Sequence, residues 1–386
     1  MIYLVSIFDA YLLPFFHLGS VPVKFAVIAI PLLAVLRGKL LNLAWLFAGL
    51  IGLNWVGKSY AYFFLAEPDV TQTIWVSMNY ALIAAGLCCG YHTRFKNLDW
   101  TFYLALAYIV VHFLIVLTWQ YSSFIVWFYD LQERIDSGLL ELRSVGVVTN
   151  PNVAALMMNM LLIFWGVAKY QGQVTKKSFR YELILFLGGM LVILSTGSKS
   201  GLLAFVAILL IRSWHVLMSA WRRVVQGLLF AFVFISVSIF VAGQVADDER
   251  FVTLKNGLDL AANLPARLEH EIVEGTRIKK LVFAYENWLL SPIFGIGSDR
   301  ASSAIVNDVF YHNDFSEILV STGILGLLMY FYLTYRVFRI SPLLVVPFFL
   351  PGATNAFIFT VHLAMMYFSF IGIIMRVQKI ELAHGR

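Results

Sequence analysis

Long apolar runs follow one another along this chain with little polar sequence between them, and basic residues gather in every second gap. A bilayer-spanning helix needs about 20 apolar residues, fewer where its ends are sheltered by protein. About twelve segments qualify: Ile2–Phe16, Val21–Leu36, Leu41–Phe64, Gln72–Gly90, Thr101–Trp119, Val153–Val167, Glu182–Ser195, Gly201–Trp214, Val224–Ala242, Phe315–Tyr335, Leu343–Ala356 and Phe357–Met375. The composition agrees: 60% of residues are hydrophobic and 13% charged, against about 45–50% and about 25% in soluble domains. The expected fold is all-α, a polytopic membrane bundle forming one domain over residues 1–386. Ile2–Phe16 lacks a basic start and a small-residue cleavage site, so it reads as a span and not as a signal peptide. Leu343–Ala356 is the weakest span, being short and carrying Pro347 and Pro351.

Charge orients the bundle. Arg37 and Lys39, Arg94 and Lys96, Lys169 to Arg180, Arg212 to Arg223, Arg336 and Arg339, and Arg376 to Arg386 hold more than half of the 28 basic residues. The positive-inside rule makes these connections cytoplasmic, together with both termini. The net charge of +6 then reports topology and gives no reason to expect nucleic acid. The alternate connections face outward. Two are long, one from Gln120 to Asn152 and one over 243–313. In the second, Ile278, Leu281, Val282, Tyr285, Trp288 and Leu289 recur at helical spacing, which predicts an amphipathic helix on the membrane surface or over a cavity.

Few residues have the character needed for chemistry. Thr196-Gly197-Ser198-Lys199-Ser200-Gly201 joins two spans of about 15 residues, or about 22 Å, on the outer side. Ser198 or Ser200 is placed to cap the following helix, whose free N–H groups form an anion site with Lys199; the plainer reading is a polar turn with a snorkelling lysine. His312 precedes the Phe315–Tyr335 span in the run Tyr311-His312-Asn313-Asp314-Phe315-Ser316-Glu317. An imidazole at a membrane boundary can act as a general base, with Asp314 or Glu317 as orienting group, or it can be structural. Arg277 can clamp a phosphate with its planar fork or stand as a solvated loop charge. Lys58 lies inside the Leu41–Phe64 span, where an ionisable group is a functional candidate unless it snorkels. His112 reads as a helix–helix contact. The adjacent Cys88 and Cys89 suit neither a disulfide nor a metal site. No P-loop and no HExxH occurs, so no metal or other cofactor is expected, and the donor of any transfer reaction must arrive already activated in the membrane.

The run from His312 to Gly326, HNDFSEILVSTGILG, resembles the signature of the O-antigen ligase and polymerase superfamily. Leu194–Gly201 resembles the short outer turn of that family, with Lys199 where members usually carry arginine. Gly275-Thr276-Arg277 followed by Ser291-Pro292-Ile293-Phe294-Gly295-Ile296-Gly297 resembles its loop motif, and Thr149–Asn152 the start of a middle span. The resemblance covers about the C-terminal two thirds of the chain. It implies metal-independent, inverting glycosyl transfer from an undecaprenyl-pyrophosphate donor at the periplasmic face of the bacterial inner membrane. His312 would deprotonate the acceptor, and Lys199 and Arg277 would neutralise the departing pyrophosphate, with Ser198, Ser200, Asn313, Asp314, Glu317 and Lys58 in support. Lysine at 199 keeps the charge and loses the bidentate geometry. The acceptor is lipid A-core for a ligase, a second lipid-linked repeat for a polymerase, or Ser or Thr of a protein. The modest length and single large polar loop favour the ligase. A transporter of lipid-linked sugar is the alternative from another class; its usual internal repeat is not evident.

Overall fold

In the computed structural model, residues 42–65, 69–93, 95, 97–118, 151–175, 179–217, 276–298, 314–349 and 361–383 are described. The expected spans Ile2–Phe16, Val21–Leu36 and Val224–Ala242 lie outside this set, as does most of the 243–313 loop. The described residues are mostly helical and contain no strand. The helices are α1 (Asn42–Phe64), α2 (Thr71–His92), α3 (Trp100–Thr118), α4 (Pro151–Tyr170), α5 (Phe179–Ser195), α6 (Lys199–Leu217), α7 (Thr276–Leu290), α8 (Asp314–Ile340) and α9 (Val361–Ala383). Three helical stretches are long and apolar enough to cross a membrane: Thr71–His92, Asn152–Tyr170 and Asp314–Ile340. Trp100–Leu114 and Ser200–Ser213 are shorter apolar helical stretches.

Two sequence expectations change. The helices flanking the 196–198 turn have 17 and 19 residues, or about 26 and about 28 Å, so the argument that they are unusually short falls away. The described part of Leu343–Ala356 is not one helix. A 3₁₀ segment, Pro342–Val345, gives way to a single α turn, Val346–Phe349. Pro342 starts the first, and Pro347 lacks the N–H a longer α-helix would need.

The chain divides into two compact units. One contains α1, α2, α7, α8 and α9. Its closest pair is α2 with α9, where backbones touch through glycine. A Cβ added at Gly86 would come 2.8 Å from the Met365 carbonyl oxygen, one at Gly90 1.8 Å from that of Ser369, and one at Gly372 2.1 Å from that of Leu87. Gly86 and Gly90 share a helix face four residues apart, the small-residue spacing that lets apolar helices associate where lipid offers no hydrophobic drive. Aromatic rings fill the space beside them, with Phe47 edge-on to Phe368 at 5.0 Å between centroids and Phe348 at 5.8 Å from both Phe368 and Tyr330.

The other unit contains α3 to α6, with α4 buried along nearly its whole length. Ala155 on α4 admits α6 at Gly201, whose added Cβ would lie 2.4 Å from the Ala155 Cβ, and the Asn159 amide donates to the Gly201 carbonyl at 2.8 Å. At the opposite end of the helices Glu182 of α5 bridges Lys169 of α4 and Arg212 of α6, and the Arg212 guanidinium lies over the Phe186 ring at 5.1 Å. One carboxylate shared by two cations keeps charge tolerable inside a helical bundle. His112 of α3 is buried and hydrogen-bonded to Ser195 of α5 at 3.0 Å, the helix–helix contact expected for it.

Candidate functional site

The last turn of α7 begins the best-defined polar feature of the first unit. After Leu290 the chain turns through Ser291-Pro292-Ile293-Phe294-Gly295-Ile296-Gly297-Ser298. Trp288 Nε1 donates to the Pro292 carbonyl at 2.9 Å, and the Gly295 N–H to that of Ser291 at 2.8 Å. Gly295 and Gly297 have φ of 75° and 74°, the left-handed region that favours glycine.

This turn is stitched into a break in α8. At Gly323 (φ 68°, ψ −167°) the helix is interrupted. In an unbroken helix the Ile324 N–H would donate to Val320. Here it donates to Pro292 at 2.9 Å, and the Val320 carbonyl accepts the Ile296 N–H at 2.9 Å. The Leu325 N–H reaches the Ile293 carbonyl at 3.4 Å. The turn thus replaces the ladder bonds that the break removes, which is how non-helical backbone is tolerated at membrane depth. A Cβ added at Gly323 would sit 2.2 Å from the Ile293 carbonyl oxygen.

α1 closes the junction from a third side. A Cβ at Gly57 would lie 2.7 Å from the Ser321 carbonyl oxygen, 2.8 Å from the Gly297 nitrogen and 2.9 Å from the Phe294 carbonyl oxygen, so three backbones meet at that point. Tyr60 donates to the Leu290 carbonyl at 2.9 Å. The buried Asn54 Oδ1 accepts both the N–H and the hydroxyl of Ser298, at 3.1 and 2.9 Å, while its Nδ2 is buried without a hydrogen-bond partner. Lys58, one turn beyond Asn54, is 2% exposed, which argues against a lysine snorkelling to water.

We expect Gly323→Ala to undo this junction. The dihedral alone costs a side-chain-bearing residue about 1–3 kcal/mol, and the added carbon overlaps Ile293. Purified variant protein should melt at a lower temperature in detergent and lose transfer activity together with its fold; an unchanged melting curve would show that the break does not depend on glycine.

The sequence candidates fall into three groups. His312 and Asn313 lie outside the described residues. Lys199 is the first residue of α6 and Arg277 the second of α7, with side chains outside the described set. The rest are placed. Ser198 and Ser200 are buried. Ser198 Oγ accepts the Gly201 N–H at 3.2 Å and its carbonyl accepts that of Leu202 at 2.9 Å, so Ser198 caps α6. Gly197 (φ 58°) makes the turn out of α5. Asp314 and Glu317 share the first turn of α8. Asp314 is fully buried, with the Tyr330 hydroxyl directed both at its Oδ2 and at the Phe348 carbonyl, each at 3.4 Å. That carboxylate is turned into the bundle, whereas Glu317 is only half-buried.

Lys58, Asp314 and Glu317 belong to one unit with α7, and Ser198 and Ser200 to the other. The sequence reading missed Asn54, Gly57 and the break at Gly323. A signal existed for the first, since an asparagine inside an apolar span needs partners. Among the described residues no cluster of three or more His, Cys, Asp or Glu could hold a metal.

Residues 183–331 match the family model described as O-antigen ligase. The chain carries an O-antigen ligase superfamily domain. That domain starts in α5, ends within α8, and contains Ser198, Lys199, Ser200, Arg277, the docked turn, His312, Asp314 and Glu317. The match covers less than half of the chain and suggests an O-antigen ligase- or polymerase-type membrane glycan transferase with lipid-linked glycan substrates. A comparison with curated proteins gave no match.

Proposed function

We propose that the protein is an O-antigen ligase-type glycosyltransferase that moves a glycan from undecaprenyl pyrophosphate to lipid A-core at the periplasmic face of the inner membrane. The observation that carries the reading is the extent of the O-antigen ligase domain, which takes in Lys199, Arg277 and His312 together. The reaction is a direct displacement with inversion and uses no metal. His312 accepts the proton of the acceptor hydroxyl as that oxygen bonds to the anomeric carbon. The bond from this carbon to the pyrophosphate oxygen breaks, and the leaving group departs with the electron pair. Its growing negative charge is met by Lys199 and Arg277, since stabilisation of charge that develops in the transition state accelerates the step. The pyrophosphate linkage supplies the free energy, so no nucleotide is consumed.

Two features of the structure support these roles. Lys199 stands at the positive end of α6, where backbone dipoles favour an anion, and Ser198 fixes that end by capping it. The segment leading to His312 starts at Ser298, pinned to Asn54, and ends at Asp314, turned toward Tyr330. The twelve-span topology with residues 243–313 outside is read from the basic clusters.

The polymerase differs only in its acceptor. Purified protein given an undecaprenyl-pyrophosphate glycan, lipid A-core and a second lipid-linked repeat should place glycan on lipid A-core. Elongation of the repeat in its place would make the protein a polymerase.

A further inference from the structure

The turn docked into α8 meets its neighbours well inside their length. Arg336 and Arg339 close the apolar run of α8, and Arg37 and Lys39 precede α1, so the positive-inside rule puts these two ends at the cytoplasm. A hydrocarbon core about 30 Å thick takes about 20 residues of helix. Measured back from Arg336, that length reaches Ser316 on α8; measured from Asn42, it reaches Ala61 on α1. The contacts of the turn lie deeper than both limits. It is bonded to Val320 and Ile324 on either side of Gly323, and it touches α1 at Gly57. At 1.5 Å per residue the two helices each put the turn about 6–10 Å beneath the outer edge of the core.

α7 descends to that depth from outside. Ala284 packs with Ile296 and Val320 beside Tyr60 and Leu65, and the Leu290 carbonyl accepts from the Tyr60 hydroxyl. The sequence changes character along the same path. Arg277, Lys279, Lys280 and Glu286 all fall in α7, and no charged residue follows from Asn287 to Ser298. The side chains of Leu289, Leu290, Ile293 and Phe294 face away from the bundle and are exposed, Leu289 by 51% and Ile293 by 55%. Polar side chains turn to the protein instead. Asn287 donates to the Phe283 carbonyl at 2.9 Å, Trp288 to that of Pro292, and Ser298 to Asn54. Apolar groups outward and polar groups paired inward is the arrangement that lipid demands.

We propose that residues 287–298 form a re-entrant element. The outer connection enters the outer leaflet along the C-terminal half of α7 and turns at the break in α8, and acyl chains of the bilayer cover its exposed face. The proposal goes beyond the transferase reading and does not depend on it. It replaces a helix lying on the membrane surface with one that slants into the leaflet, its boundary with water near Glu286. Depth and polar pairing both select lipid over water as the medium around this face. Its bulk selects lipid over a second copy of the chain. Helices that associate inside a bilayer do so through small residues, as α2 and α9 do at Gly86 and Gly90. This face is made of leucine, isoleucine and phenylalanine, which suit fluid chains.

Nitroxide labels on full-length protein in phosphatidylcholine vesicles test this. Glu286→Cys, Leu289→Cys and Ile293→Cys each replace an exposed side chain, and the parent protein, with Cys88 buried and Cys89 partly so, sets the background. Collisions with oxygen, which concentrates in lipid, should rise from 286 through 289 to 293, while collisions with a water-soluble nickel chelate fall. The label at 293 should read a depth of about 6–10 Å, the distance set by helix rise. Nickel reaching 293 as often as 286 would put the element on the surface and overturn the proposal. Exclusion of both reagents from 289 and 293 would show that protein covers the face, and would overturn it equally. A second measurement needs no label. Ile293→Asp, whose short charged side chain cannot snorkel, should lower the melting temperature in the same vesicles, and Glu286→Gln should not. Equal melting of Ile293→Asp and wild type would count against burial in the leaflet.

Discussion

Replacing His312 with alanine should lower glycan transfer by about 10²–10⁴-fold, the usual contribution of a general base, while the protein still folds, inserts and binds donor. The acceptor hydroxyl is a poor nucleophile until it begins to lose its proton, and Asp314 is turned toward Tyr330 instead of being exposed to an acceptor. The same reasoning fixes the sign of the pH dependence. Transfer by the wild type should fall as the medium is acidified, because a protonated ring has no lone pair to offer. The variant, lacking that group, should show a flatter acid limb on its residual rate. A transporter would behave otherwise: wild-type protein would bind lipid-linked sugar and never yield a covalent product. Full transfer by His312→Ala, measured as glycan on acceptor with purified components, would remove the histidine from the mechanism.

Loss of either cation should be nearly as damaging. A charge-assisted contact is worth about 1.5–3 kcal/mol, so Lys199→Ala and Arg277→Ala should each slow transfer by roughly tenfold to more than a hundredfold. Lys199→Arg should keep activity, because a planar fork suits phosphate at least as well as an ammonium does. Ser198 caps α6 independently of the residue that follows it, so the helix start should survive the alanine substitution, and melting temperature separates a lost charge from a lost fold. Wild-type rates in Lys199→Ala would reduce the position to a polar turn residue.

Much of the helical layout was legible from hydropathy. The run Leu41–Phe64 became α1, and Thr101–Trp119 became α3 with each end moved by one residue. The errors lie where charges enter. The expected span Phe315–Tyr335 stops at the first arginine, yet α8 continues to Ile340. Arg336 and Arg339 donate to the Tyr332 and Tyr335 hydroxyls, each one turn earlier and at 3.1 Å, so the side chains that end the apolar stretch also prolong the helix. α9 outruns its expected limit in the same way, with Arg376 bonded to the Tyr91 carbonyl at 3.1 Å and Gln378 to that of Ile340 at 3.2 Å.

The amphipathic helix was expected on the membrane surface or over a cavity and forms as Thr276–Leu290; which of its residues pack on the bundle was not read from the sequence. Tyr285 and Leu289, expected on the apolar stripe, are exposed, while Ala284 and Asn287 are buried. Close approach near Tyr60 and Val320 selected a small residue over large ones, and periodicity cannot express that preference. The candidate residues were chosen by residue type and order. The junction was not legible, because a positive φ at Gly323 and an exchange of carbonyl partners between distant segments leave no trace in a hydropathy pattern.

That exchange also bears on the order in which the protein is made. A nascent chain emerges N-terminus first, so Asn54 and Gly57 exist before the turn that packs on them, and the turn exists before Ile324 and Leu325. The carbonyls of Pro292 and Ile293 are already synthesised when the two amides that need them leave the ribosome. An interrupted helix entering lipid with bare donors would be costly. Here the patch is translated ahead of the tear. A circular permutant that made Asp314–Ile340 first would contain every contact of the finished protein and would still expose that break to the bilayer until the rest of the chain arrived.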